Sequence, residues 1–252
     1  MTFKSLSLSL VIALFVMAGS AQAKKTYING IDASYPPFAF VDEKGKPSGF
    51  DVESMDWIAK KMGFSVEHRP MDWDGIIPSL LAKKIDMVCS GMSISPERQK
   101  MVTFSDPYWK VRKYLLVLKD STLTKDDLLK GKKTLGVQAG TNEAEALKQM
   151  AEKGEANFTL KFYESPPMAI EDLVNGRIDG AAIDSAPGDE AMNKGKKPIK
   201  VVGDFAEPDN FGVATRNEDA ELREKINKGY ELLKKDPFWE ALQEKYINAD
   251  KK

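Results

Sequence analysis

The residues best placed to do chemistry close the run Ile85-Asp86-Met87-Val88-Cys89-Ser90-Gly91-Met92-Ser93-Ile94-Ser95-Pro96-Glu97-Arg98. Ile85 to Cys89 is short and mostly apolar, as in a buried strand. Ser90, Gly91 and Ser93 are small and let a ligand approach the backbone. Ser95 suits a helix N-cap and Pro96 the first helical position. Arg98 then sits in the first turn, where a cation gains nothing from the helix dipole. Free backbone N–H groups, hydroxyls and one guanidinium at the end of a strand suit a carboxylate. Taken alone, the run also reads as a strand, a turn and a helix with an exposed arginine.

A second stretch echoes the first. Leu80-Leu81-Ala82-Lys83-Lys84-Ile85-Asp86 resembles Leu173-Val174-Asn175-Gly176-Arg177-Ile178-Asp179. Each reads as a helix end, a basic turn and a strand start. Polar groups follow in both: Ser90, Ser93 and Arg98 after the first, Asp184 after the second. The echo predicts two lobes of similar build. Ligands of open α/β sheets bind outside the carboxyl ends of strands, so facing lobes put Arg98 and Asp184 across one cleft. Arg98 can hold an α-carboxylate bidentately and Asp184 an α-ammonium. Tyr35 and Trp73, from loops at strand ends, can sandwich a side chain. The alternatives are packing for the two aromatics and an N-cap role for Asp184.

Other chemistries find less support. His68, the only histidine, has no candidate serine near it for a nucleophilic triad and no ligands at metal spacing. It reads as a partly solvated residue at a strand end. No Gly-rich phosphate loop occurs. Asp72, Asp74 and Asp106 lie in candidate cleft loops and leave acid–base work open.

The elements that must position these groups alternate between strand and helix. Strands are expected at Thr26 to Asp32, Phe64 to His68, Tyr114 to Lys119, Thr134 to Val137, Phe158 to Tyr163, Gly180 to Asp184, Ile199 to Val202 and Phe211 to Thr215. Glu207-Pro208-Asp209 reads as a break between the last two. Helices are expected from Asp51, as N-cap, to Met62, from Ile76 to Lys83, beyond Thr141, beyond Ser165, from Asp219 to Lys235 and after Pro237. Such alternation implies βαβ units and mostly parallel sheets. Residues 1–23 stand apart: Lys4, an apolar run to Met17 and Ala21-Gln22-Ala23 read as a cleavable secretory signal. The formal charge of −1 gives no field that suggests nucleic acid or a membrane surface. The single cysteine, Cys89, cannot form an internal disulfide and reads as a buried thiol.

In order along the chain, Asp32-Ala33-Ser34-Tyr35-Pro36-Pro37-Phe38, Gly49-Phe50-Asp51, Asp72-Trp73, Ile85-Asp86, Ser90 to Arg98, Phe104-Ser105-Asp106-Pro107-Tyr108 and Gly136-Val137-Gln138-Ala139-Gly140-Thr141 resemble family 3 extracellular solute-binding proteins. These are amino-acid receptors of bacterial ABC importers. The resemblance implies an α/β, type II periplasmic binding fold of two lobes joined by two hinge strands, with lobe 1 at 24–110 plus 210–252 and lobe 2 at 111–209. It implies that Arg98 takes a ligand α-carboxylate, helped by Ser93 and the backbone near Thr141 and Asn142. Asp184 would take the α-ammonium, with the Ser90 carbonyl and Gly91 nearby. Tyr35 and Trp73 would flank the side chain, and Asp32 and Gln138 would meet its polar end. The chain departs from the common pattern at Ser95 and Asn142. A periplasmic monomer follows, without metal or cofactor, that closes on a free amino acid and is read by permease subunits. Asp32 favours Arg, Lys, His or Gln as ligand. A cyclohexadienyl dehydratase-like enzyme, tested by turnover of prephenate or arogenate, and a protein that presents ligand to a chemoreceptor are the alternatives.

Overall fold

The computed structural model describes residues 24–248. The secretory signal expected at residues 1–23 lies outside them. Among the described residues no helix is long and apolar enough to cross a membrane.

Two five-stranded sheets each form the middle of a lobe. In the first, the spatial order is Ser65–Met71, Thr26–Asp32, Met87–Val88, Ala214–Thr215, Thr103–Phe104. Its first three strands are parallel, and Ala214–Thr215 runs against both neighbours. In the second, the order is Phe158–Tyr163, Lys133–Gln138, Gly180–Asp184, Trp109–Leu118, Ile199–Phe211. Here too the first three are parallel, and the last two are antiparallel to their neighbours. A small third sheet, Ser34–Tyr35, Ala39–Val41 and Pro47–Ser48, carries Tyr35.

The lobes are joined by the two longest strands among the described residues. Trp109–Leu118 and Ile199–Phe211 pair from Ile199 opposite Leu118 to Phe211 opposite Trp109. Phe211 also bridges Ser93 of the first lobe. The expected break at Glu207-Pro208-Asp209 does not occur: the strand runs through it with register shifts. Ile199–Phe211 is the edge of its sheet, where a proline removes no ladder bond from a second neighbour.

Side-chain alternation builds the second lobe's core. Tyr114 and Leu116 pack on one face with Ile170, Leu173 and Ile183. Leu115 and Val117 pack on the other with Leu128, Leu135 and Leu147. This is the two-residue period of a strand covered on both sides. In the first lobe, Met55 and Met87 are fully buried core residues beside Ile58 and Ile226. Cys89 is buried in the same cluster.

The echoed stretches do the same work in both lobes. Asp86 Oδ2 accepts from the Ile28 N–H at 2.8 Å, and Asp179 Oδ2 from the Thr134 N–H at 2.8 Å. Each aspartate ties the strand after a basic turn to the strand beside it.

Two expectations are corrected. Asp51 is not an N-cap: helix Phe50–Met62 starts after Gly49, whose φ of 128° and close Phe38 carbonyl leave no room for a Cβ. Asp51 lies inside the helix, fully buried. His68 is not at a strand end but inside Ser65–Met71, between Asn29 and Asp56 at 3.1 Å each, with its side chain 8% exposed. The strand runs three residues further because it pairs with Thr26–Asp32 as far as Met71.

Candidate functional site

A cleft of about 400 Å³, counting its open mouth, lies between the lobes. Tyr35, Trp73, Ser90, Gly91, Ser93 and Arg98 line it from the first lobe. Gln138, Thr141, Asn142 and Asp184 line it from the second. Ten of the eleven expected residues therefore meet in one place. Asp32 is the exception: it is buried behind the wall, where its Oδ2 accepts from Gln138 Nε2 at 2.8 Å. Burial pushes its carboxyl above the usual range.

Arg98 comes from the one-turn helix Pro96–Gln99, whose N-cap Ser95 accepts from the Arg98 N–H at 3.4 Å. Its guanidinium donates to the Ser93 carbonyl at 2.8 Å and to the Gly140 carbonyl of the other lobe at 3.2 Å. It also lies 5.3 Å over the Trp73 ring. Burial lowers its pKa, opposed by the charges of Glu143, Asp184 and Asp209. An arginine keeps its charge through such a shift. Trp73 adds a second donor, its Nε1–H, to the Gly140 carbonyl at 3.1 Å. One carbonyl of the second lobe is thus held by two donors of the first.

The Ser90–Gly91 turn is fixed from behind. Gly91 has φ of 59°, and a Cβ there would lie 2.4 Å from the Tyr35 ring. Its N–H donates to Asp51 Oδ2 at 2.6 Å, and the Tyr108 hydroxyl donates to the same oxygen at 2.7 Å. Burial raises the Asp51 pKa to about 7. The Ser90 hydroxyl accepts from the Asp32 N–H at 2.9 Å.

Asp184 ends strand Gly180–Asp184 and stands at the N-cap of helix Ser185–Asn193, yet its side chain makes no capping bond. Its Oδ2 accepts from the Tyr35 hydroxyl across the lobes at 2.5 Å. Its Oδ1 is buried and has no hydrogen-bond donor. Burial and then the charge of Glu143 hold its pKa well above the usual carboxylate range. On the same lobe, Thr141 caps helix Asn142–Glu152 by accepting from the Ala144 N–H at 3.2 Å. Asn142 Nδ2 donates to Asp209 Oδ2 at 2.9 Å, so this side chain is engaged away from the Arg98 clasp.

Three charged residues of the site escaped sequence reasoning. Glu143 lines the cleft and is buried. Its carboxylate pairs closely with Lys113 Nζ, which also meets Asp209 Oδ2 at 2.7 Å and Asp184 Oδ1 at 4.0 Å. In the sequence Glu143 is an ordinary acid in a first helical turn, where the dipole favours it. Lys113 did leave a trace. It shares a strand face with Val111, Leu115 and Val117, so a buried face carries one lysine.

Comparison with known proteins adds to this geometry. Residues 27–249 match the model of bacterial extracellular solute-binding proteins, family 3. The L-cystine-binding protein TcyJ of Escherichia coli (strain K12) is 34% identical over 236 residues, covering 93% of this chain and 87% of that protein. An ancestral arginine-binding protein, solved bound to arginine, superposes with a TM-score of 0.80 at 38% identity, covering 89% of this chain and 99% of that one. An ancestral amino-acid-binding protein described as a precursor of cyclohexadienyl dehydratase superposes at 0.79 with 36% identity, covering 88% and 95%. The two-lobed architecture with its long connecting strands is the type II periplasmic binding fold of these neighbours, and the chain belongs to the bacterial extracellular solute-binding proteins, family 3.

Proposed function

We propose that this protein is a periplasmic receptor that binds one free L-amino acid between its lobes and delivers it to the permease of an ABC importer. The observation that carries the reading is the meeting of Arg98 and Asp184, from opposite lobes, in one buried cleft. A guanidinium and a carboxylate so placed match the two charges of a zwitterion, and each is desolvated enough to discriminate. Arg98, with Ser93 and the backbone at Thr141 and Asn142, takes the carboxylate. Asp184 takes the ammonium on its donor-free Oδ1, with the Ser90 carbonyl and Gly91 beside it. Tyr35 and Trp73 flank the side chain, and Gln138, backed by Asp32, meets its polar end.

The lobes of this reading are 24–110 plus 210–252 and 111–209, turning on Trp109–Leu118 and Ile199–Phe211. Ligand contacts to both lobes shift the population toward the closed form, which the permease reads. The protein acts as a monomer without cofactor and catalyses no reaction. Binding proteins for arginine and cystine among its relatives favour a polar or cationic ligand, as does the Asp32–Gln138 end.

Calorimetric titration with the common amino acids tests the reading. At least one should bind, and Arg98→Ala should abolish that binding while the circular dichroism spectrum stays unchanged. Unaltered affinity in Arg98→Ala refutes it. The likeness to a dehydratase precursor motivates one more assay: turnover of prephenate or arogenate by the wild-type protein should be absent.

A further inference from the structure

The ammonium end of the cleft holds more negative charge than one ligand group explains. Three carboxylates, Glu143, Asp184 and Asp209, surround the single ammonium of Lys113. Lys113, Glu143 and Asp184 are all buried. Burial alone would push the Lys113 pKa down, but the carboxylates hold it above its usual range. Lys113 therefore stays charged and offsets only one of the three. Arg98 stands further off and is engaged by the Ser93 and Gly140 carbonyls.

Lys113 Nζ pairs closely with Glu143 Oε1 and stands 4.0 Å from Asp184 Oδ1, which gathers the two carboxyl groups around one ammonium. Both line the cleft. Two ionised carboxylates are acceptors only and cannot bond to each other, whereas a pair with one proton can. Asp184 Oδ2 is occupied by the Tyr35 hydroxyl, and Asp184 Oδ1 has no donor. A proton between Oδ1 and Glu143 would satisfy that oxygen and remove one of the excess charges. The pair is unequal. Burial pushes Glu143 up, but the Lys113 ammonium together with hydrogen bonds from Asp184, Lys113 and its own backbone holds it below its usual range, while Asp184 lies above. The proton therefore belongs on Asp184, which donates to Glu143.

We propose that Glu143 is a second carboxylate of the ammonium site: the ligand-free pair shares one proton, and an incoming α-ammonium displaces it. This rests on the receptor function proposed above. The step balances: an ammonium enters, the O–H bond of Asp184 breaks, and the proton leaves to solvent. Both carboxylates then accept N–H bonds from the ligand. Binding thus releases a proton, and affinity falls as the pH drops below the titration of the pair. Glu143 also confines the site to ammonium groups with enough N–H donors for two carboxylates.

The test is calorimetry with L-arginine, then with L-lysine, L-glutamine and L-cystine, between about pH 6 and 7, below the titration of their α-ammonium groups. Each titration is run in phosphate and in imidazole, which both buffer in this range and whose ionisation heats differ. The inference expects heats that differ between buffers by an amount equal to roughly a half to one proton released per ligand, and up to about tenfold weaker binding per unit fall in pH. In Glu143→Gln the release should drop to near zero. Binding with equal heats in both buffers overturns the inference and leaves the receptor reading standing. Release that persists in Glu143→Gln overturns it too, since the proton then comes from Asp184 through burial alone, or from another group such as Asp32. Binding by none of these ligands or the other common amino acids overturns both.

Discussion

Replacing Tyr35 by phenylalanine removes one oxygen and tests how the lobes are held on the ligand. The Tyr35 hydroxyl donates to Asp184 Oδ2 at 2.5 Å, from the first lobe to the second, with both residues buried. The ring should stay, because Phe38 and Phe211 pack against it at 6.3 and 6.4 Å between centroids. The loss is therefore one buried hydrogen bond to a carboxyl group, worth about 1.5–3 kcal/mol. In the proposed closure that bond exists only when the lobes meet, so its loss falls on the closed state. At about 1.4 kcal/mol per factor of ten, affinity should weaken roughly 10- to 150-fold. Loss of the hydroxyl also removes a group that lowers the Asp184 pKa, which adds to the effect at low pH. Calorimetry with the best-binding amino acid measures the affinity, and small-angle scattering with saturating ligand reports closure. Affinity within twofold of wild type, with closure intact, would refute a role for this bond in holding the lobes.

Three more outcomes follow from the buried groups. Asp51, raised to about 7 by burial, is protonated in the folded state between its ordinary pKa of 3.8 and about 7, and ionised when unfolded. Stability from this group is thus lost as pH rises through that window, by at most about 4 kcal/mol. Urea unfolding at pH near 5 and near 8 should show Asp51→Asn to be less pH-sensitive than wild type. Gly91→Ala puts a Cβ at φ of 59° and 2.4 Å from the Tyr35 ring. It should cost about 1–2 kcal/mol for the backbone alone and displace the ring, seen as a lower unfolding midpoint together with weaker binding. Lys113→Met leaves Glu143 and Asp209 without their ammonium. It should destabilise the fold by about 3–5 kcal/mol near neutral pH, and part of that should return near pH 5 as the carboxylates take up protons.

The fold was largely legible because local rules agreed along the chain. Strand Phe158–Tyr163 and strand Gly180–Asp184 stand where the pattern of apolar residues and turns predicts them. Ser95 caps as expected, with Pro96 at the first helical position. Failures came where tertiary pairing overrode local signals. Pro208 reads as a break, yet the strand passes it because it lies at a sheet edge. Asp51 looks like a cap, but Gly49 takes the helix start and the carboxylate turns inward to hold Gly91.

For the site, residue types and order along the chain brought Arg98, Asp184, Tyr35 and Trp73 into one candidate cleft, and the structure brings them together. The sequence determined this much because strand ends and their loops carry recognisable residues at recognisable intervals. Only the tertiary structure decided which groups touch. Lys113, Glu143 and Asp209 are far apart in the chain, and each is unremarkable where it stands, in a strand, a helix start and a strand near its end. Their charges matter because folding removes water from between them, and pattern along a chain does not encode that distance. The same holds for Asp184, whose side chain faces the cleft and Tyr35 rather than capping its helix. That orientation is set by the neighbouring lobe, not by the residues beside it in sequence.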